Sequence, residues 1–293
     1  MSRARLVFWI LRLFALLPLW LAQALGAAVG FLMSVLPNSL RHVARVNIDA
    51  CFPDWSKTER KRLVRQSLME DGKGLVEMGA LWLWPPERVL SRVREVRGAE
   101  FIEQAVARGK GVIIASPHLG AWEIVGHYLA SRWPMTILYR PPRLAELDAT
   151  IRTSRERGGA TLVPTDSGGV RALFKALGRG ELVGILPDQE PGLESGVFAP
   201  FFGIDTNTMV LLPRLAQKSG AAVLFIFAER LPRGHGYILH IEPAPEGIDD
   251  QDMAVAGAAL NRGVEQCVRK APAQYQWSYK RFKKRPKGQV KLY

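Results

Sequence analysis

The sequence predicts an α/β domain with a mostly parallel central sheet flanked by helices, preceded by an apolar N-terminal helix. Two observations carry this prediction. Helical segments alternate with short apolar runs after residue 100, which is typical of α/β sheet domains. These runs are nearly continuous in apolar residues, as expected of parallel strands that are buried on both faces.

The N-terminal segment is uncharged from residue 13 to residue 36 and follows three arginines, Arg3, Arg5 and Arg12. It is long enough to cross a hydrocarbon layer of roughly 30 Å, and longer than the apolar region of a signal peptide. We therefore predict a retained membrane-anchoring helix over residues 1–37. Because it contains a proline, a glutamine and two glycines, a kinked, half-inserted anchor is an open alternative to a span. The basic cluster at residues 60–65 favours a cytoplasmic location for the rest of the chain.

The remaining residues, 38–293, are expected to form one domain. Ser56 and Glu59 have the spacing of a capping box for a helix that ends near Trp82. Short apolar runs predict strands at residues 111–116, 135–139, 182–186, 222–228 and 237–241. Helices are predicted at residues 121–132, 145–157, 168–177, 208–218 and 253–270.

The charge balance is strongly basic, with 40 Lys and Arg against 27 Asp and Glu and a formal net charge of +13. Such a chain is attracted to polyanions, including nucleic acid, anionic lipid and acidic proteins. We expect no nucleic-acid partner, because no zinc-finger, helix-turn-helix or RNA-binding motif accompanies the charge. Cys51 and Cys267 lack the spacing of a metal site or a disulfide framework, so both are predicted to be reduced.

The strongest local signal is the segment 116–123, Ser-Pro-His-Leu-Gly-Ala-Trp-Glu, which follows an apolar strand and opens a helix. Within one helix, His118 and Glu123 would point about 140° apart. They can meet only if His118 precedes the helix, and Pro117 and Gly120 favour such a turn. Glu123 would then accept a hydrogen bond from one imidazole nitrogen and leave the other as a base.

Three alternatives remain at this point. His118 can be an ordinary loop residue and Glu123 an ordinary helix-terminal carboxylate. Glu123 can instead pair with His127, four residues further along the same helix face, although His127 is expected to point onto the sheet. Metal binding by the three is disfavoured, because zincins place their two histidines four residues apart with the glutamate next to the first.

Residues 118–123 resemble the His-x-x-x-x-Asp/Glu signature of the lysophospholipid and glycerolipid acyltransferases, and most closely that of the bacterial lipid A biosynthesis (late) acyltransferases. The resemblance extends over almost the whole chain. It includes residues 139–141, 155–159, 184–189, 201–203 and 280–286. Ser116-Pro117 departs from the pattern, since many relatives carry Gly or Asn before the histidine; this affects the geometry of the loop but leaves the reacting groups in place.

This resemblance implies an acyl-[acyl carrier protein]-dependent O-acyltransferase at the cytoplasmic side of the bacterial inner membrane. His118 would remove a proton from a hydroxyl of a lipid A precursor, which attacks the thioester of acyl carrier protein, while Glu123 orients the imidazole. Neither a metal nor another cofactor is expected. Backbone amides around Gly120 are the predicted donors to the oxyanion. Other acceptors, such as ornithine lipid, lysophosphatidate or another glycolipid, and a non-catalytic membrane scaffold remain alternatives.

Three further residues are predicted to bind substrate. Arg140 follows a predicted strand, and Arg155, or else Arg157, ends the next helix; either can bind a phosphate, although arginines in so basic a chain are commonly solvated. Asp188, at another strand end, would position an arginine or the acceptor, or merely cap a turn. Residues 198–203 read as an apolar loop for core closure or acyl contact, and residues 280–287 as a basic segment that binds an anion or is solvated.

Overall fold

A seven-stranded sheet forms the centre of the computed structural model, which describes residues 3–142, 146 and 148–293. Its strand order is β1-β9-β8-β2-β5-β3-β4, with a separate hairpin of β6 and β7. The strands are β1 (Val93–Arg97), β2 (Val112–Ala115), β3 (Met135–Tyr139), β4 (Ala160–Pro164), β5 (Leu182–Ile185), β6 (Gly196–Phe201), β7 (Ile204–Met209), β8 (Ala222–Arg230) and β9 (Tyr237–Pro243). All neighbours pair in parallel except β8 and β9, so the predicted α/β fold with a mostly parallel sheet is confirmed.

Helices cover both faces of the sheet. They are α1 (Arg3–Leu16), α2 (Leu19–Val35), α3 (Ser39–Cys51), α4 (Lys57–Leu83), α5 (Pro86–Leu90), α6 (Ala99–Ala107), α7 (Trp122–Ala130), α8 (Asp148–Glu156), α9 (Ser167–Gly178), α10 (Leu211–Ser219) and α11 (Met253–Lys270). Alternate residues of β2 belong to different cores: Ile113 packs with α9 to α11, and Ile114 packs with α6 and α7. This alternation explains why the central strands are apolar at every position.

The five predicted strands and the predicted capping box of Ser56 and Glu59 are all present. Strands β1, β4, β6 and β7 were not predicted. Strands β1 and β4 lie at the edges of the sheet, where one side of the strand is open to water, and their sequences therefore lack a continuous apolar run. The predicted loop at residues 198–203 is instead the tip of the β6–β7 hairpin, with Phe202 and Gly203 at positive φ.

The single predicted N-terminal helix is two helices, α1 and α2, which meet at Leu17 and Pro18. Proline has no amide proton and disfavours helical geometry in the residue before it, so the chain breaks there. No single helix among the described residues is long and apolar enough to cross a membrane. Taken together, α2 and α3 pass that test by length and composition, but they are bent by 80°.

Helix α2 lies against α4 through glycines. A Cβ atom at Gly30 would stand 2.1 Å from the backbone oxygen of Leu68, and one at Gly26 would stand 2.4 Å from that of Gly72. Such distances leave no room for any side chain at the contact. Glycine at these positions therefore determines how closely α2 packs on the domain.

Replacing Gly30 by alanine is expected to lower the free energy of unfolding by about 1–3 kcal/mol, because the added methyl group forces α2 away from α4. Gly178→Ala is the matched control, since no atom lies within 4 Å of a Cβ added there. It should leave stability unchanged or raise it by up to about 1 kcal/mol. Urea unfolding followed by circular dichroism measures both, and equal effects of the two changes would contradict the close contact.

Candidate active site

His118 lies just beyond the carboxyl end of β2, before α7 begins at Trp122. Its ring Nδ1 is 2.9 Å from Oδ1 of Asp188, and its backbone amide donates to Oδ2 of the same carboxylate at 2.9 Å. Its Nε2 is 3.1 Å from Nε2 of Gln189. The carboxylate of Asp188 thus holds both the backbone and the ring of His118. The Nε2 edge of the ring faces the side-chain amide of Gln189.

Asp188 reaches His118 because β5 pairs directly with β2 in parallel, so that the two strands end side by side. The carboxylate is buried. Burial raises the pKa of Asp188, but the charge of His118 and the hydrogen bonds from its ring and backbone outweigh burial, and the net pKa lies below the ordinary value. Asp188 is therefore an anion near neutral pH, and it favours a proton on Nδ1 of the ring.

Glu123 does not make the hydrogen bond to His118 that the sequence predicted. Its carboxylate is buried and bound by Arg155, with Nε 3.0 Å from Oε2 and Nη2 2.5 Å from Oε1. Burial raises the pKa of Glu123, but the guanidinium of Arg155 more than compensates, so the pKa is lowered overall. Glu123 and His118 do not pair because Glu123, inside α7, faces Arg155 of α8. The residue next to His118 is instead Asp188, which follows the end of β5.

His127 is buried within α7, and burial lowers its pKa. It lines a cavity beneath α7 together with Glu123 and Arg155. The remaining wall is mostly apolar and comes from α7, β2, β3 and the end of β5: Ile114, Ser116, Trp122, Val125, Gly126, Met135, Ile137, Gly184, Ile185 and Leu186. The cavity thus extends from the His118 loop into the apolar interior.

Gly120 was predicted to offer its amide to an oxyanion, but this amide donates to the carbonyl of Gln274 at 3.0 Å. Its neighbour Ala121 donates to the carbonyl of Ala228 at 2.9 Å. Gly120 has φ +61°, and a Cβ there would stand 2.0 Å from the oxygen of Ala228. The glycine is needed for the close approach of this loop to β8, and its own amide is already paired. An oxyanion donor among the backbone amides around Gly120 stays a prediction.

The predicted phosphate-binding arginines have different surroundings. Arg155 binds the buried carboxylate of Glu123 with Nε and Nη2, and Arg157 donates to the carbonyl of Trp82. A contact of Arg155 with a phosphate stays a prediction. Arg140 is exposed just beyond β3, which pairs with β5, so it lies at the same sheet edge as Asp188. Arg140 is the predicted arginine that remains available to a ligand from solution.

The C-terminal segment forms part of the site, which the sequence suggested only through its aromatic residues. The backbone N–H of Gln276 donates to the carbonyl of His118 at 3.1 Å, and the hydroxyl of Tyr279 accepts from the backbone N–H of Glu190 at 2.9 Å. Arg281 and Phe282 are buried, so the segment is not a purely solvated tail. It supports the loops of His118 and Asp188 from outside the sheet.

Residues 3–284 match the family model of the bacterial lipid A biosynthesis acyltransferases. The chain is 32% identical over 288 residues to the lipid A biosynthesis palmitoleoyltransferase of Escherichia coli K12, covering 97% of this chain and 92% of the relative. It is 31% identical to the lauroyltransferase of the same strain over 275 residues, 93% of this chain and 88% of the relative. The chain is 27% identical to the lipid A biosynthesis myristoyltransferase of that strain over 280 residues, which cover 95% of this chain and 86% of the relative.

These matches span the sheet, the His118 loop and the C-terminal segment, and they define the class of protein as an acyltransferase. The chain belongs to the bacterial lipid A biosynthesis acyltransferase family. The family resemblance seen in the sequence is thereby confirmed.

Removal of Arg155 should be costly, because it leaves a buried carboxylate without its counter-charge. We expect Arg155→Met to lower the free energy of unfolding by about 3–5 kcal/mol near neutral pH. Adding Glu123→Gln to this variant should recover part of the loss, since the amide carries no charge to desolvate. Urea unfolding of the two single variants and the double variant gives the coupling energy.

The loss should also depend on pH. In the native protein the pKa of Glu123 is lowered, so its stabilising effect is full above the unfolded pKa and is lost as pH falls through the folded pKa. Without Arg155, burial raises the pKa instead, and the penalty grows as pH rises above the unfolded value. A penalty for Arg155→Met that is identical at about pH 5 and about pH 8 would contradict this interpretation.

Proposed function

We propose that this protein transfers a fatty acyl group from the thioester of acyl carrier protein to a hydroxyl of a lipid A precursor, with His118 as general base and Asp188 as its orienting carboxylate. The observation that carries the proposal is the contact of His118 Nδ1 with the buried carboxylate of Asp188 at 2.9 Å. With Nδ1 protonated, Nε2 has a free electron pair for the acceptor hydroxyl.

In the proposed reaction the acceptor hydroxyl takes the place of the Gln189 amide next to Nε2 and gives its proton to His118. The oxygen attacks the thioester carbonyl, forming the new C–O bond, and the tetrahedral intermediate collapses with cleavage of the C–S bond. The thiolate leaves with the proton held by the imidazolium. Asp188 stabilises that imidazolium without accepting its proton, and no acyl-enzyme forms.

Glu123 has a different role in this proposal from that predicted from the sequence. Bound to Arg155, it fixes the first turn of α7 against α8. That turn carries Trp122, whose ring centroid is 5.2 Å from that of His118. We therefore propose Glu123 and Arg155 as positioning residues that hold one side of the His118 pocket.

The proposed substrates follow from the charge of the protein and from the lining of its cavity. A basic protein of formal charge +13 suits an acidic carrier, and Arg140 suits an anionic group of the acceptor. The mostly apolar cavity beneath α7 adjoins the His118 loop and is the proposed entry for the acyl chain. A lipid acceptor places the protein at a membrane, and we propose the cytoplasmic face of the inner membrane as its location.

Mass spectrometry of a purified lipid A precursor incubated with the protein and a panel of acyl carrier protein thioesters tests the reaction. We expect a gain of one acyl mass, abolished in His118→Ala but retained in the matched variant His42→Ala, because His42 is an exposed residue of α3. Acylation of ornithine lipid or a lysophospholipid, with none of the lipid A precursor, would replace the proposed acceptor. Inertness toward every acceptor would contradict acyl transfer.

Asp188→Asn tests the orienting role while preserving the shape of the side chain. An amide favours the wrong tautomer of His118, and the corresponding change in serine proteases lowers kcat by about 10⁴, which is the order of loss we expect here. Asp49→Asn is the matched control, because Asp49 is a half-exposed residue of α3 paired only with Arg60. Activity of Asp188→Asn within a few-fold of the native protein would contradict the proposal.

A further inference from the structure

The side chain of Gln189 faces the ring nitrogen that takes up the proton in the proposed reaction. Its Nε2 lies 3.1 Å from Nε2 of His118. The other ring nitrogen, Nδ1, is 2.9 Å from the carboxylate of Asp188, which favours a proton at Nδ1. Ring Nε2 is then an acceptor, and the amide of Gln189 donates a hydrogen bond to it.

The amide of Gln189 has a second N–H group. A carboxamide nitrogen carries two hydrogens and can donate two hydrogen bonds. Among the residues that the structure describes, only His118 accepts from Gln189. The side chain of Gln189 is half-buried. One of its two N–H groups therefore remains free for a substrate next to the candidate base.

The neighbours of Gln189 in the chain hold its backbone from both sides. Asp188, which precedes it, is buried and bound to the candidate base by two contacts of 2.9 Å. Glu190, which follows it, donates its backbone N–H to the hydroxyl of Tyr279 at 2.9 Å and accepts with its carboxylate from the backbone N–H of Lys284 at 2.5 Å. The backbone of Gln189 is therefore fixed before a substrate binds, which limits the reorganisation of its amide during a reaction.

The position of Gln189 brings this donor to the region where negative charge develops. A base lies within about 2.6–3.2 Å of the oxygen whose proton it removes. In acyl transfer that oxygen bonds to the thioester carbon, so the carbonyl oxygen that becomes negative is two bonds away from it. An amide 3.1 Å from the same ring nitrogen is within hydrogen-bonding reach of this region. Side-chain amides of asparagine and glutamine are known donors to such oxyanions.

The backbone of the loop that carries the candidate base has its own hydrogen-bond acceptors. The four N–H groups of residues 118–121 each donate to an acceptor within the protein, which is a carboxylate for the first and a backbone carbonyl for the other three. A donor outside this stretch is therefore better placed to receive an oxyanion. Gln189 is such a donor, because it reaches the reacting nitrogen from the segment that follows β5.

We infer that Gln189 is a catalytic residue, whose side-chain amide donates a hydrogen bond to the oxyanion of the tetrahedral intermediate. The inference rests on the proposed function and adds to it a donor that stabilises the intermediate. In the free protein this amide occupies the place of the acceptor hydroxyl at Nε2 of His118. As the hydroxyl oxygen bonds to the thioester carbon, the π electrons of the C=O bond move to the carbonyl oxygen, which Gln189 binds. The same electron pair restores the C=O bond when the C–S bond breaks, and the amide keeps both of its hydrogens throughout.

Steady-state kinetics of acyl transfer test this role. Gln189→Met keeps the length of the side chain and removes the donor, whereas Gln189→Glu puts a negative charge where the oxyanion forms. Loss of one oxyanion donor lowers kcat by about 10²–10³, and we expect a loss of this order for Gln189→Met and a larger one for Gln189→Glu. The KM for each substrate should change by less than about threefold. Gln104→Met is the matched control, because Gln104 is an exposed residue of α6, and it should leave kcat unchanged.

A kcat of Gln189→Met equal to or above that of the native protein would overturn the inference, since the amide would then only occupy the place of the acceptor hydroxyl. A rise in KM without a fall in kcat would also overturn it, because Gln189 would then bind the ground state and the transition state equally. Both variants should keep the circular dichroism spectrum and melting temperature of the native protein, because Gln189 is a half-buried loop residue.

A binding measurement without turnover separates the inference from the proposed function. The trifluoromethyl ketone analogue of dodecanoyl-pantetheine hydrates to a tetrahedral carbon that bears oxygen, as the intermediate does, whereas the thioether analogue lacks that oxygen. In Gln189→Met we expect the Kd of the ketone to rise by about tenfold or more and that of the thioether to stay within about threefold. Equal changes for the two analogues would overturn the inference. A native protein that binds the ketone through Gln189 but transfers no acyl group would contradict the proposed function and leave the donor role of Gln189 intact.

Discussion

The candidate site depends on the parallel pairing of β2 with β5. Both strands end at the same edge of the sheet, and the two residues that follow at short distance, His118 and Asp188, are 70 positions apart in the chain but share two contacts of 2.9 Å. A single carboxylate holds the backbone and the ring of the histidine together. The loop before α7 therefore has one defined conformation, on which the direction of Nε2 depends.

The site contains two buried carboxylates with different partners, and we propose different roles for them. Glu123 and Asp188 are both desolvated and both have lowered pKa values, yet the compensating partner differs. Glu123 is compensated by a permanently charged guanidinium, which leaves it with a fixed charge and a structural role. Asp188 is compensated by the imidazole of His118, a group that can exchange a proton, and this difference is why we propose a proton transfer at His118 and not at Glu123.

The sequence predicted the central strands well because each is buried on both faces and therefore apolar throughout. It missed β1 and β4 because an edge strand has one open side and needs no such pattern. His118 was predicted as a base from its place between an apolar strand and a helix, and the structure places it between β2 and α7. Its partner was missed because a helical spacing reports only contacts along one helix, and Asp188 approaches from a neighbouring strand. The backbone partners of Gly120 and Ala121 were missed for the same reason, since Gln274 and Ala228 are distant in sequence.

The N-terminal helices are joined to the sheet by close backbone packing and by a buried ion pair. The length of the uncharged segment predicts one membrane helix, but Pro18 divides it into two helices. The glycines of α2 allow this helix to lie close to α4. Gln23 is thereby near enough to donate a hydrogen bond to Glu77, which is paired with Arg230 in the interior. Arg230 ends β8, the strand that pairs with β2 on the side opposite to β5. Helix α2 is thus attached, through Glu77 and Arg230, to the strand next to the one that presents His118. The N-terminal segment therefore packs as part of the domain that carries the candidate site.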